Sequence, residues 1–388
     1  MPNTTIKQAV EIAKESLRWC YTEHGIITGT RKVHWSWDSF FATFGAVSIG
    51  DLEIVKTNLR LYLKYQRKNG SIPKRFSNPF YNLRFIGIPI SEVWSKQRPN
   101  YRSPYYTGAS LTQHPMLILA FHHYVKNSGD LKFLKQNFSK LQNIYHFLDH
   151  HSYKNGLLKE SLGGGWAEAV VKRGTVAFTN MCYAESLKCF ADLAKMAGKT
   201  EITKEFKEKY HQTKIVINKL LWSDKDGGFY SDWHGLNRHH NFASDGNILA
   251  ILWGIADKNQ TSILLKRLDK LMAKSSIPMP VAEDKYLIFR IFIFNLLGGM
   301  KHYHIRFSWS WLGSIYALAK LKVGRKKEAL QILQKIAKVI VRDKIVHEIY
   351  YQNKPVKLHL YKSEAPWAWS AGLFLYACKM ADFKVNIE

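Results

Sequence analysis

The sequence predicts an all-α protein, a closed ring of paired helices. Apolar residues recur at helical spacing along most of the 388-residue chain, and alternating β patterns are short and few. Five short links of similar character recur at intervals of roughly 60–80 residues, the range of a large repeated supersecondary unit. Long, irregular loops alternate with those links.

The elements follow in order. The first helix is expected over 4–21, where TIKQAVEIAKESLRWCY is charged and amphipathic and lacks the apolar core of a signal peptide. Helices at 37–48 and 51–68 come next. In the second, Leu52, Val55, Leu59 and Leu63, with Ile54 and Leu61 beside them, form an apolar stripe. The same reading gives helices at 110–128, 130–151, 176–198, 200–221, 244–256, 259–273, 307–323, 325–342 and 366–382. The short links are Ile49-Gly50-Asp51, Ser128-Gly129-Asp130, Ala197-Gly198-Lys199, Ala256-Asp257-Lys258 and Val323-Gly324-Arg325. Glycine usually stops the first helix of each pair, and the charge that follows opens the second. In a ring of hairpins the short links share one rim and the long loops the other, where function concentrates. An open solenoid would give connections of more uniform length. Residues 1–388 are read as one domain, since large closed architectures override the length prior.

The formal charge is +27, from 57 Lys and Arg against 30 Asp and Glu. Such a field attracts polyanions, but the basic residues are scattered and no helix-turn-helix, zinc-finger or RNA-binding signature is present, which argues against a nucleic-acid partner. Cys20, Cys182, Cys189 and Cys378 show no CxxC pairing, so neither a zinc site nor a disulfide framework is expected. The most apolar stretch, 286–298, is interrupted by Arg290 and too short to span a bilayer. A cytoplasmic protein without a membrane partner is expected, with no metal and no cofactor.

The long loops share an aromatic and polar character. They read HWSWDSFF at 34–41, SPYYTGASLTQHP at 103–115, GGGWAEAVVKRGTVAFTN at 163–180, HHNFASDGN at 239–247, HYHIRFSWSW at 302–311 and YKSEAPWAWSAG at 361–372. If the ring closes, these six segments converge. Flat aromatic side chains beside a few carboxylates suit a sugar, and glycosidic cleavage usually needs two carboxyl groups across the bond. The candidates are Asp38, Glu168, Asp245 and Glu364. Glu364 stands at a helix start, where the dipole favours its anion and suits a general base. Glu168 follows Trp166, whose desolvation favours the protonated acid, although Lys172 and Arg173 oppose this. Asp38 and Asp245 also read as helix-start carboxylates; a hydroxyl-binding role is preferred for Asp38. His34, His302 and His304 suit sugar hydroxyls or purely structural bonds.

At WSWDSFF, KNGSIP (68–73), GGGWAEAVVKRG, SDGNILAILWGIA (244–256) and YKSEAPWAWSAGLFLYA the chain resembles the inverting glycosidases of the six-hairpin, (α/α)6-barrel class. The nearest likeness is to the amylo-alpha-1,6-glucosidase part of glycogen-debranching enzymes. The resemblance implies an acid at Glu168, where the family prefers Asp, and a base at Glu364. It also implies hydrolysis of an α-glycosidic, in particular α-glucosidic, bond in an oligosaccharide or small glycoside. A sugar subsite is expected from Trp35, Trp37, Asp38, Tyr105, Tyr106, Gln113, Trp166, Lys172, Asp245, His304, Trp367 and Trp369. The rivals are a sugar isomerase or epimerase, which would use His302 and His304, and a non-catalytic carbohydrate-binding relative.

Overall fold

A computed structural model describes residues 2–103, 108–235, 238–283, 285–383 and 385. Each of the twelve expected helices is present, as α1 (Pro2–Trp19), α2 (Ser36–Ser48), α3 (Leu52–Lys64), α4 (Gln113–Ser128), α5 (Leu131–Asp149), α6 (Ala177–Met196), α7 (Thr200–Leu221), α8 (Ser244–Leu252), α9 (Lys258–Ala273), α11 (Ser310–Lys322), α12 (Lys326–Asp343) and α13 (Ala368–Met380). A short helix that the periodicity did not predict, α10 (Ile293–Leu297), lies in a long loop.

The helices form two concentric layers. α2, α4, α6, α8, α11 and α13 each pack on the next, and α13 packs back on α2, which closes the inner ring. Their sequences explain their place. SWDSFFATFGAVS in α2 is buried on nearly every side, as a helix between two layers must be. The outer helices bury one stripe only. In α12 that stripe is Ala329, Ile332, Leu333, Ile336, Ala337, Val339 and Ile340, while its lysines face water. The result is an (α/α)6 barrel.

The links at Gly50, Gly129, Gly198 and Gly324 turn through left-handed backbone, with φ between 70° and 85°. The fourth link differs from expectation. α8 ends at Leu252 because Gly254, at φ 67°, turns the chain early. Asp257 then starts α9 by accepting from the Gln260 backbone N–H at 2.8 Å. α3 likewise ends early, at Lys64, and the chain turns over Arg67–Gly70.

Small antiparallel sheets stiffen the loops. β1 (Tyr21–Thr22) pairs with β2 (Gly25–Ile26). β3 (His34–Trp35), β4 (Arg75–Ser77) and β5 (Arg98–Asn100) form one sheet in that order. β6 (Thr175–Val176), β7 (Trp222–Ser223) and β9 (Arg238–Phe242) all pair with β8 (Phe229–His234). β10 (Tyr350–Tyr351) and β11 (Lys354–Pro355) make the last hairpin. Among the described residues no helix is long and apolar enough to cross a membrane.

Candidate active site

The long loops meet at the N-terminal ends of the inner helices. There they enclose a pocket of about 610 Å³, a volume that includes the open solvent at its mouth. Trp35, Trp37, Trp166, Trp309, Trp367 and Trp369 supply indole walls. Trp35 stacks on Trp37 with centroids 5.2 Å apart, and Trp369 stacks on Trp311 at 4.2 Å. The Trp166 ring meets Trp369 edge-on at 5.6 Å. Asp38, Glu168 and Glu348 are the carboxylates that line the cavity.

Asp38 stands in the first turn of α2, brought to the cavity by the pairing of β3 with β4. Burial pushes its carboxyl well above the usual range, and the negative charges of Glu348, Glu364 and Glu168 push the same way. Those three charges come from separate parts of the chain, so the carboxylates do converge. Asp38 Oδ1 and the indole N–H groups of Trp37, Trp367 and Trp369 are buried and have no hydrogen-bond partner among the described residues.

Glu168 follows Trp166 in the 163–174 loop, and its Oε2 accepts from Lys74 Nζ at 3.2 Å. Burial lowers the ammonium of Lys74 to about 8, while the charge of Glu168 works to hold it up. The loop is pinned by its own backbone. The Ala169 N–H donates to His304 Nδ1 at 3.2 Å, so that nitrogen carries no proton. Burial, reinforced by Lys172, holds His304 neutral.

Sequence reasoning missed Glu348. It lies between α12 and β10, fully buried, and accepts from the hydroxyls of Tyr303 and Tyr361 and from the Glu364 N–H. Burial pushes its carboxyl up to about 7, Glu364 adds to this, and Arg31 and the two tyrosines oppose it. Glu364 is placed differently from the expectation. Its Oε1 pairs with Arg31 Nε at 2.7 Å, and its Oε2 accepts from the Arg31 N–H at 2.9 Å and from Thr30 Oγ1 at 3.3 Å. It is not among the cavity-lining residues, whereas Arg31 is. Glu364 therefore sets the wall by holding Arg31.

Three further residues expected in the sugar subsite lie behind it. Gln113 is buried, accepts from Ser110 Oγ at 2.9 Å and donates to Ser110 O at 2.8 Å, so it braces the start of α4. Lys172 pairs with Asp232 at 2.7 Å, as a buried cation must be paired. Asp245 accepts from Trp166 Nε1 at 2.6 Å and from the Gly246 N–H, and so orients the indole; burial pushes its carboxyl up to about 6. Tyr105 and Tyr106 lie outside the described residues. His34 bonds Gln97 and Thr22 away from the cavity, and His302 is likewise absent from its lining. Tyr81, Phe292, Asn295, Tyr303 and Trp309 complete the wall. Tyr303 and Trp309 fall in the aromatic 302–311 loop but carry no motif of their own.

A model of the bacterial alpha-L-rhamnosidase 6 hairpin glycosidase domain matches residues 4–281. No curated protein matches the sequence. Among solved structures, the GH63 mannosylglycerate hydrolase of Thermus thermophilus in complex with Tris superposes with a TM-score of 0.71 at 15% identity, covering 95% of this chain and 99% of that one. A rhamnosidase from Klebsiella oxytoca with rhamnose bound gives 0.70 at 14% identity, covering 96% of this chain and 63% of that one. The GH78 family rhamnosidase of a Bacillus species gives 0.67 at 18%, covering 96% and 34%. These likenesses carry the fold, and the family match spans most of the chain: it belongs to the family of the bacterial alpha-L-rhamnosidase six-hairpin glycosidase domain.

Proposed function

We propose that this chain is one catalytic domain that hydrolyses an α-glycosidic bond by a single, inverting displacement. The observation that carries the reading is a tryptophan-walled cavity shared by two carboxylates from different loops, Glu168 and Glu348. Glu168 protonates the leaving oxygen. Glu348 takes the proton of the attacking water, which joins the anomeric carbon from the opposite face as the glycosidic bond breaks. The base role expected at Glu364 is assigned to Glu348, because Glu348 lines the cavity and Glu364, held by Arg31 and Thr30, does not.

Binding follows from the same wall. Sugar rings stack on the indoles. Asp38 Oδ1 and the free indole N–H groups of Trp367 and Trp369 meet hydroxyls that would satisfy them. Lys74 stabilises Glu168 as the carboxylate that remains once the proton has left. The longer side chain of Glu, against the Asp preferred in the resembling family, reaches this lysine. The reaction needs no cofactor in this scheme.

For the cleaved sugar, the likeness to amylo-alpha-1,6-glucosidases supports an α-glucoside, and membership of a family named for rhamnose supports an α-L-rhamnoside. The test is a panel of aryl α-D-glucosides, α-L-rhamnosides and α-D-mannosides, with the first-formed anomer followed by NMR. Turnover on one of them with inverted product is the expected result. Retained anomeric configuration would overturn the mechanism. No turnover on any of them, with unchanged sugar binding in Glu168→Gln and Glu348→Gln, would favour a binding module.

A further inference from the structure

The mouth of the cavity is ringed by apolar side chains that face water. Leu287, Ile288 and Phe289 are 66%, 66% and 69% exposed, and Ile293 and Leu297 of α10 are exposed as well. α10 packs on the short 3-10 helix at Tyr81–Ile86, next to which Phe80 and Ile88 are exposed. A third segment joins them, since a Cβ at Gly87 would lie 3.4 Å from the exposed Leu360. Tyr81, Phe292 and Asn295 from these same segments line the cavity, so the apolar rim and the mouth share one face. Monomeric proteins rarely leave such a contiguous patch unoccupied.

The charge on this rim is mainly positive, with Glu92, on which Arg84 acts, and Glu283 at its edges. Residues 79–90, 285–306 and 354–362 contain eight Lys or Arg and no Asp or Glu. Lys285, Lys301 and Arg306 are exposed. Their field reaches His302, whose imidazole is pushed below its ordinary range first by burial and then by those three cations. Arg290 lies over the Phe289 ring at 5.6 Å, which joins charge and apolar surface in one feature.

We propose that this rim is a docking surface for an anionic lipid bilayer, on which the cavity opens toward the membrane. Exposed Leu, Ile and Phe enter the boundary between headgroups and acyl chains, while the flanking cations meet the lipid phosphates. A second copy of the chain fits less well, because a symmetric contact would set two basic rims against each other. A nucleic acid would satisfy the cations and leave the apolar side chains in water. The contact is peripheral and needs no spanning helix. It is also independent of the hydrolytic mechanism, because it uses neither Glu168 nor Glu348.

The test is flotation of the full chain with vesicles of phosphatidylcholine alone or in equimolar mixture with phosphatidylglycerol. Binding to the mixed vesicles, weakened by salt and near background on the neutral ones, is expected. Leu287→Ser with Phe289→Ser lowers the bound fraction about tenfold. Lys301→Gln with Arg306→Gln lowers it by about fivefold per charge and flattens the salt response. Lys322→Gln with Lys327→Gln, at the opposite rim, leaves binding unchanged. All these positions are exposed, and unchanged thermal melts report intact folding. Absence of binding to the mixed vesicles would overturn the proposal. Equal loss in the rim and opposite-rim variants would do the same, as would a dimer in sedimentation velocity that Phe289→Ser dissociates.

Discussion

Glu348 and Glu364 stand sixteen residues apart and share one loop, yet their surroundings differ, and the proposed mechanism gives them different work. Two tyrosine hydroxyls and a backbone N–H hold Glu348 at the cavity, while a guanidinium holds Glu364 beside it. Glu348→Gln is expected to lower kcat by about 10²–10⁴, or about 3–5.5 kcal/mol of barrier, the size of a general-base contribution. The base acts ionised, and its carboxyl is pushed up to about 7, so kcat/KM falls as pH drops below that value. The charge of Glu364 is one cause of the upward push. Glu364→Gln should therefore move the acid limb of the pH profile to lower pH, and Glu348→Gln should abolish it. An unmoved limb in Glu364→Gln would separate the two carboxylates electrostatically. Glu168 and Asp38 were legible because each follows a Trp at a helix-entering loop. Glu348 was not, because DKIVHEIYYQ carries no glycine or tryptophan signature and reaches the site only through backbone pairing, with its N–H donating to Glu364 O at 2.9 Å.

His114 offers a second test at the same scale. Its Nδ1 donates to Leu111 O and its Nε2 accepts from the Ile72 N–H, both at 3.0 Å, which fixes the loop before β4 onto α4. Burial lowers its pKa from 6.5 to about 3. The neutral ring is the form that the fold stabilises, so this contribution is present above pH 6.5 and is lost as pH falls toward about 3. Between pH 6.5 and about 5 the loss is about 2 kcal/mol. His114→Gln can make both bonds and does not titrate. Urea unfolding at the two pH values should show the wild type losing about 2 kcal/mol more than the variant over that interval. Equal losses would assign the linkage elsewhere.

Among the elements, the inner ring closes where α2 meets α13, and two glycines permit it. A Cβ at Gly45 would lie 2.3 Å from Gly372 Cα, and one at Gly372 would lie 2.6 Å from Ala42 Cα. The backbones touch, and no rotamer relieves the overlap. Gly45→Ala should cost about 2–4 kcal/mol by forcing the helices apart. Gly50→Ala should cost only about 1 kcal/mol, since nothing lies within 4 Å of its Cβ and only its positive φ is strained. Denaturant midpoints with unchanged slopes would check both. The helices were readable because inner and outer layers write different patterns, SWDSFFATFGAVS against KKEALQILQKIAKVIVRD. The contact that seals the ring was not, because a glycine in an apolar helix looks the same whether it meets a backbone or a void. The fourth link shows the same gap: Gly254, not the Ala-Asp-Lys step after it, makes the turn.

Over the whole molecule, five hairpins are joined by short links at one rim, and the sixth consists of α13 and α1, which pack together across the ends of the chain. The architecture thus has no required starting point. A permuted chain that joins Phe383 to α1 through a flexible linker and opens at Gly129 would convert the missing link into a covalent one. Gly129 is not buried, and nothing lies within 4 Å of its Cβ. The new ends would leave the rim that carries the cavity untouched. This permutant is expected to unfold in one cooperative step and to retain wild-type turnover on whichever glycoside the native chain cleaves. A chain opened instead at Gly164 would cut the loop that places Trp166 and Glu168, where Ser110 Oγ donates to the Gly164 carbonyl and the Gly163 N–H donates to Lys172 O. It should keep most of the helical signal and lose activity by the factor that removal of the acid itself produces, about 10²–10⁴. Circular dichroism and turnover measured on the two permutants together separate ring closure from site assembly. Loss of the helical signal in the Gly129 permutant would show that the hairpins depend on the native chain order, and equal turnover in both permutants would mean that the 163–174 loop does not carry the acid.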